Sequence, residues 1–196
     1  MNGVSAQPVS AMPSGGWVPD PVRQLLADFK IDDVLDVPDD APRVELVDGV
    51  MLVVPSPAVD HQDIGNLLWA WLRANAPAEF RAATAVGVQI DDRNSREPDV
   101  VLLRRPVENT HFFSPDQIVI AVEIVSPGTR KRDRLQKPAE YADAGIPYYW
   151  RVEQNPVHVY AYGLRDGAYA LLADSDTMLK LDEPFPISLP IQAITP

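Results

Sequence analysis

Residues 118–125 read Ile-Val-Ile-Ala-Val-Glu-Ile-Val, and no other stretch restricts the fold of this chain as strongly. Side chains alternate along an extended strand, so Val119, Ala121, Glu123 and Val125 share one expected face and Ile118, Ile120, Val122 and Ile124 the other. Both sets are apolar apart from Glu123. That pattern predicts a central strand covered on both sides, as in sheets layered between helices. Glu123 is then expected in the interior, where an unpaired carboxylate costs roughly several kcal/mol and calls for a compensating partner.

A second acid sits in the same kind of setting. Asp99 follows Glu97-Pro98 and precedes Val100-Val101-Leu102-Leu103, which also reads as a buried strand. If the two strands are neighbours, the Asp99 and Glu123 carboxylates converge. Two convergent carboxylates can hold a hard divalent cation such as Mg2+.

The remaining pattern places these strands in a mixed α/β or α+β architecture with one central mixed sheet flanked by helices. Residues 1–19, rich in Ser, Gly and Pro with no apolar period, read as a flexible tail, and 20–196 as a single domain. Apolar residues at near-helical spacing predict a helix over 21–30, and Asp39, Asp40 and Pro42 mark a loop. Two apolar runs, 44–47 and 50–54, flank Asp48-Gly49 in the manner of a tight hairpin. Asp60 is the expected cap of a helix that carries Ile64, Leu67, Leu68, Trp71 and Leu72 and stops near Ala76-Pro77. Strands are expected at 84–91, 97–103 and 117–124, a helix at 132–144, and further strands at 147–153, 157–162, 168–173 and 178–181.

Composition narrows the chemistry. The chain has 196 residues, enough for one domain with a sizeable core, and no cysteine, which excludes disulfides, thiolate metal sites and cysteine nucleophiles. No apolar run approaches the roughly 18 residues of a membrane span, and the N-terminus lacks the basic and apolar regions of a signal peptide. The expectation is a soluble cytoplasmic protein. With 28 acids against 17 bases the formal net charge is −11, which disfavours non-specific contact with a polyanion. The exception is Arg130 to Lys137, where five bases stand with one acid.

The segments Glu97-Pro98-Asp99, Val122-Glu123-Ile124-Val125-Ser126-Pro127 and Thr129 to Trp150 together resemble the Uma2 family of restriction-endonuclease-like proteins. The likeness runs from about Val44 to about Val159, with Glu45-Leu46-Val47-Asp48-Gly49 and His61 in corresponding places. It implies a restriction-endonuclease-like core of the Pro-Asp, then Asp or Glu, any residue, Lys type, and a divalent-metal-dependent endonuclease that hydrolyses DNA phosphodiester bonds with Mg2+ or Mn2+. By that resemblance Asp99 and Glu123 are the metal-binding acids, with Glu45 a further carboxylate. Val125 stands in the usual lysine slot, and the resemblance moves the cation to the following helix as Lys137. A homodimer, as in enzymes that cut both strands, is also implied.

Pro138 bears on that assignment, because the residue before a proline is pushed away from helical geometry. A helix that begins near Arg134 keeps Pro138 in its first turn, whereas an earlier start kinks it and makes Arg130, Lys131 and Arg132 the substitutes. His61 is an accessory candidate for phosphate contact or proton transfer, and Gln89, with Asp91, for lining the same cleft. Tyr141 and the aromatic run Tyr148-Tyr149-Trp150 are expected in packing. Each acid also has a plainer reading: Asp99 paired with Arg96 or Arg104, Glu123 ion-paired with a base from 130–137. A catalytically silent scaffold that keeps the nuclease fold and binds a protein or nucleic-acid partner is the competing function. A hydrolase of small phosphate esters would need a deep pocket.

Overall fold

The computed structural model describes residues 17–196 except 39, 127, 129 and 131; most of the expected tail, together with Lys131, lies outside the described residues. The helix expected over 21–30 ends early, as α1 (Pro21–Leu26) with a left-handed Ala27 at its end, and a further short helix, α2 (Ile31–Leu35), follows it. The hairpin β1 (Val44–Val47) and β2 (Val50–Val53) turns on Asp48 and Gly49, both at positive φ, as a tight two-residue turn requires. The long helix α3 (Val59–Asn75) is capped at Ala58, so Asp60 sits within its first turn and complements the helix dipole there instead of capping it.

The strand expected at 84–91 starts three residues later, and an unexpected strand in a different sheet precedes it. Ala85 adopts a left-handed conformation (φ 53°) that ends β3 (Phe80–Ala83) and redirects the chain into β4 (Gly87–Asp91). Likewise β5 (Asn94–Arg96) and β6 (Val100–Arg104) are separated at Pro98. After β7 (Phe112–Phe113) come β8 (Ile118–Ile124), a π-helical turn at Arg132–Gln136 and α4 (Lys137–Asp143). The chain then runs through β9 (Tyr148–Gln154), β10 (Val157–Arg165), β11 (Ala168–Ser175), β12 (Met178–Leu181) and β13 (Ile187–Pro190).

The fold is mixed α+β. Its central six-stranded sheet has the order β11-β10-β9-β8-β6-β3, and β8 lies in the middle as its two apolar faces require. The β8–β9 pair is parallel, joined across α4, and the other pairs are antiparallel. Alternation along β8 is interrupted once. Leu102 pairs with Ile120 but Leu103 with Ile118, so Val119 is an extra residue in the ladder. Val119 therefore joins Ile120, Val122 and Ile124 in the core under α3, while Ile118 joins Ala121 and Tyr141 on the α4 side. Beyond the bulge the period holds, and Glu123 points toward Tyr141 of α4.

Pro138 occupies the second position of α4. A proline has no N–H to give and crowds the carbonyl four residues back. The wider π-helical turn just before α4 accommodates it, and α4 begins at Lys137 with Pro138 in its first turn.

Candidate functional site

The site forms where β6 begins and β8 ends, between α3 and α4. A cleft of about 380 Å³ there is lined by His61, Asp99, Glu123, Arg132, Asp133 and Lys137, among others. Asp99 directly precedes β6, and its backbone N–H donates to Val122 O at 3.0 Å, which registers it beside Glu123 across the strand pair. One of its carboxylate oxygens, Oδ2, accepts from the Ile124 N–H at 2.7 Å and lies 3.4 Å from His61 Nε2. Asp99 thus pairs with neither Arg96 nor Arg104.

Glu123 is 2% exposed. Tyr141 Oη donates to its Oε1 at 2.6 Å and Lys137 Nζ to its Oε2 at 2.9 Å. The same ammonium lies 3.1 Å from Glu45 Oε1 and 4.0 Å from Asp133 Oδ1. Lys137 thus sits, 5% exposed, among three carboxylates. Its Cβ projects from the first residue of α4, one turn before Tyr141, so a single helix face delivers both donors to Glu123.

Glu45 lies behind Lys137 and does not line the cleft. Its Oε1 also faces the Glu97 N–H at 3.4 Å, and its Oε2 accepts from Arg132 Nη2 at 2.9 Å. With Lys137, Arg132 and Glu97 on its two oxygens, Glu45 serves as the counter-ion of a buried lysine in this arrangement.

Burial pushes the Glu123 carboxyl up, to about 8, and the nearby acids Asp99, Asp133 and Glu45 add to the shift while Lys137 opposes it. Burial alone would lower Lys137, yet the carboxylates of Glu123 and Glu45 outweigh it and its pKa is raised. Burial would raise Glu45, but Lys137 and Arg132 bring it below its ordinary value. His61 follows the same logic: desolvation pulls it down, and Asp99 more than restores it, leaving it raised.

The donor set suits a hard cation. Asp99 and Glu123 supply carboxylates from adjacent strands, and Mg2+ is commonly held through one or two carboxylates while it keeps several waters. Among the described residues no three acidic or imidazole side chains form a complete cage. A site of this kind does not require one.

Other expected residues fall elsewhere. Gln89 pairs with Ser95 in the small β5-β4-β7 sheet, because the turn at Ala85 carries β4 out of the central sheet, and it does not line the cleft. Asp91 accepts from the Arg93 N–H at 2.7 Å in the β4–β5 turn. Arg130 faces a separate groove, while Arg132 stands at the cleft. Two contributors had no clear sequence signal. Asp133 was hidden among bases, although its position four residues before Lys137 on a helix could have pointed to it. Arg96, 4% exposed, forks to both Glu140 oxygens at 2.7 Å and donates to Leu46 O at 2.6 Å, tying α4 to the β1 hairpin.

No helix among the described residues is long and apolar enough to cross a membrane. The fold is shared with the crystal structure of "a putative nuclease belonging to DUF820" from Anabaena variabilis, at a TM-score of 0.66 and 17% identity, over 85% of this chain and 97% of that one. A comparison with curated proteins found no match. The Uma2 family, described as "Putative restriction endonuclease", matches residues 31–192. That match takes in well over half of the sequence, and the chain belongs to the Uma2 family.

Proposed function

We propose that this protein is a divalent-metal-dependent endonuclease that hydrolyses phosphodiester bonds in DNA. One observation carries the reading: Asp99 and Glu123 border a single cleft from neighbouring strands, and a buried lysine ammonium stands 2.9 Å from Glu123. Bound at Asp99 and Glu123, Mg2+ or Mn2+ would acidify a coordinated water and offset charge on the phosphate. Lys137, held charged by Glu45, offers a fixed positive charge to the pentavalent phosphorus centre, worth most in a site shielded from water. The Ile124 N–H and His61 orient Asp99, and His61, which lines the cleft, is within reach to move a proton.

Supercoiled DNA incubated at low salt with Mg2+ or Mn2+ should be nicked or linearised by the wild-type protein. EDTA, E123Q and D99N should each abolish the reaction. If wild type is inert and Mn2+ titration detects no binding, the proposal fails.

The silent-scaffold reading keeps one specific support, the net charge of −11, which opposes DNA approach over most of the surface. Intact metal binding without cleavage of any DNA form would favour it. Light scattering of the purified protein tests the homodimer that cutting both strands would use.

A further inference from the structure

Beside the cleft runs a second groove of about 440 Å³, lined by Arg130, Arg134, Arg151, Glu153, His158 and Tyr160 among others. We infer that this groove binds the phosphate backbone of the nucleic-acid strand as it leaves the cleft. The inference rests on the reading of the cleft as a DNA-cleaving site, and it assigns the track along which the substrate lies.

Neighbouring residues line the two hollows. Arg132 and Gln154 face the cleft, whereas Arg130, Arg134 and Asn155 face the groove. A strand gripped at Asp99 and Glu123 therefore meets the groove within a few residues of protein surface. Its charge is the opposite of the molecule's. Arg134 Nη2 and Arg151 Nε share a single carboxylate oxygen, Glu153 Oε1, at 2.9 and 3.2 Å, and Arg130 adds a third guanidinium. Three arginines against Glu153 in the lining, with Asp174 behind His158, leave a local positive excess on a chain whose net charge is −11.

The wall of the groove is preorganised. The Arg151 guanidinium lies 4.3 Å from the Tyr160 ring centroid, and His158 stacks on the same ring at 4.4 Å. His158 is further fixed by Asp174 at 2.7 Å. Planar guanidinium forks held in this way match phosphate oxygens better than mobile ammonium groups do.

The test uses the full chain carrying E123Q, so that DNA is bound but not cut, and reads anisotropy of a fluorescein-labelled DNA oligonucleotide over a range of salt. Adding R130Q/R134Q, both on the surface, should lower affinity roughly tenfold and reduce the slope of log K against log salt by about two. R73Q/R81Q, which removes two exposed arginines beside Trp69, controls for net charge and should leave the slope unchanged. R151Q, read beside its melting temperature, should lower the slope by about one more. Equal slopes for the groove and control pairs, or no binding by the E123Q chain, would overturn the inference. Cleavage by wild type with equal slopes sinks the groove and spares the proposed activity. Groove-dependent binding without cleavage by wild type does the reverse.

Discussion

Lys137 Nζ and Glu123 Oε2 lie 2.9 Å apart with side chains 6% and 3% exposed, and Glu45 completes the arrangement from behind at 3.1 Å. A charged lysine this deeply buried needs a facing carboxylate, and Glu45, whose pKa is lowered, supplies one across the pH range in which Glu123 holds its proton. Removing one carboxylate should therefore act through the lysine. E45M should destabilise the fold by roughly 3–5 kcal/mol, as expected when one partner of a buried ion pair is lost. E45M/K137M, which replaces both charges with apolar groups, should cost clearly less than the sum of the single variants, since contacting residues do not act additively. Urea unfolding of the four proteins closes the cycle, and additive effects would refute the coupling. In the same set, E45Q should retain Mn2+ binding that E123Q loses.

Glu123 gives stability a pH signature. In the unfolded chain its carboxyl ionises near 4.5, whereas in the folded protein it holds its proton up to about 8. Between those values the native state binds more protons than the unfolded state, so this residue's contribution falls as pH rises, by up to about 1.4 kcal/mol per pH unit. Glu45, whose pKa is lowered, works in the other direction: its contribution is present above about 4.5 and is lost as pH falls through its folded value. The stability of wild type relative to E123Q should accordingly decline from pH 4.5 to 8 and level off above it. Thermal melts at unit pH intervals read this, and a flat difference would exclude a raised Glu123.

Arg96 joins three elements with one planar group. R96K keeps the charge but cannot reach both Glu140 oxygens and Leu46 O together. A loss of roughly 2–4 kcal/mol in denaturant unfolding is expected. A change below about 0.5 kcal/mol would mean that the fork does not brace the hairpin against α4.

His61 should titrate above its ordinary value of 6.5, because the Asp99 carboxylate at 3.4 Å overrides the burial that pulls it down. In D99N burial dominates, and the titration should move below that of wild type. NMR of the ring protons across pH 5–9 would show the order, and coincident curves would remove Asp99 as the cause.

Much of this was legible in the sequence. The all-apolar run around Glu123 required a central strand, and β8 occupies that place with the acid 2% exposed. Helical spacing from Ile64 to Leu72 gave α3, and Asp48-Gly49 gave the hairpin. What stayed hidden had local causes that periodicity does not record. A left-handed Ala85 delayed the expected strand to Gly87, behind the unforeseen β3, and took Gln89 away from the cleft. The extra residue Val119 exchanged the faces of Ile118 and Val119, and a π-helical turn absorbed Pro138. Partner choice was equally invisible. Nothing in the spacing of Glu45, Asp133 and Lys137 distinguishes a metal acid from a lysine's counter-ion, because that depends on which side of the ammonium each carboxylate lies.

The bond from Arg132 to Glu45 spans 87 residues of sequence. Its closure joins the amino-terminal hairpin to the segment after β8, at an entropic cost that rises slowly with the length of chain between them. The same Glu45 stands 3.1 Å from Lys137 and is one of its counter-charges. The cleft is therefore complete only when that hairpin is docked against the segment after β8: undocking it would leave Asp99 and Glu123 on their strands while removing the carboxylate that holds the ammonium charged.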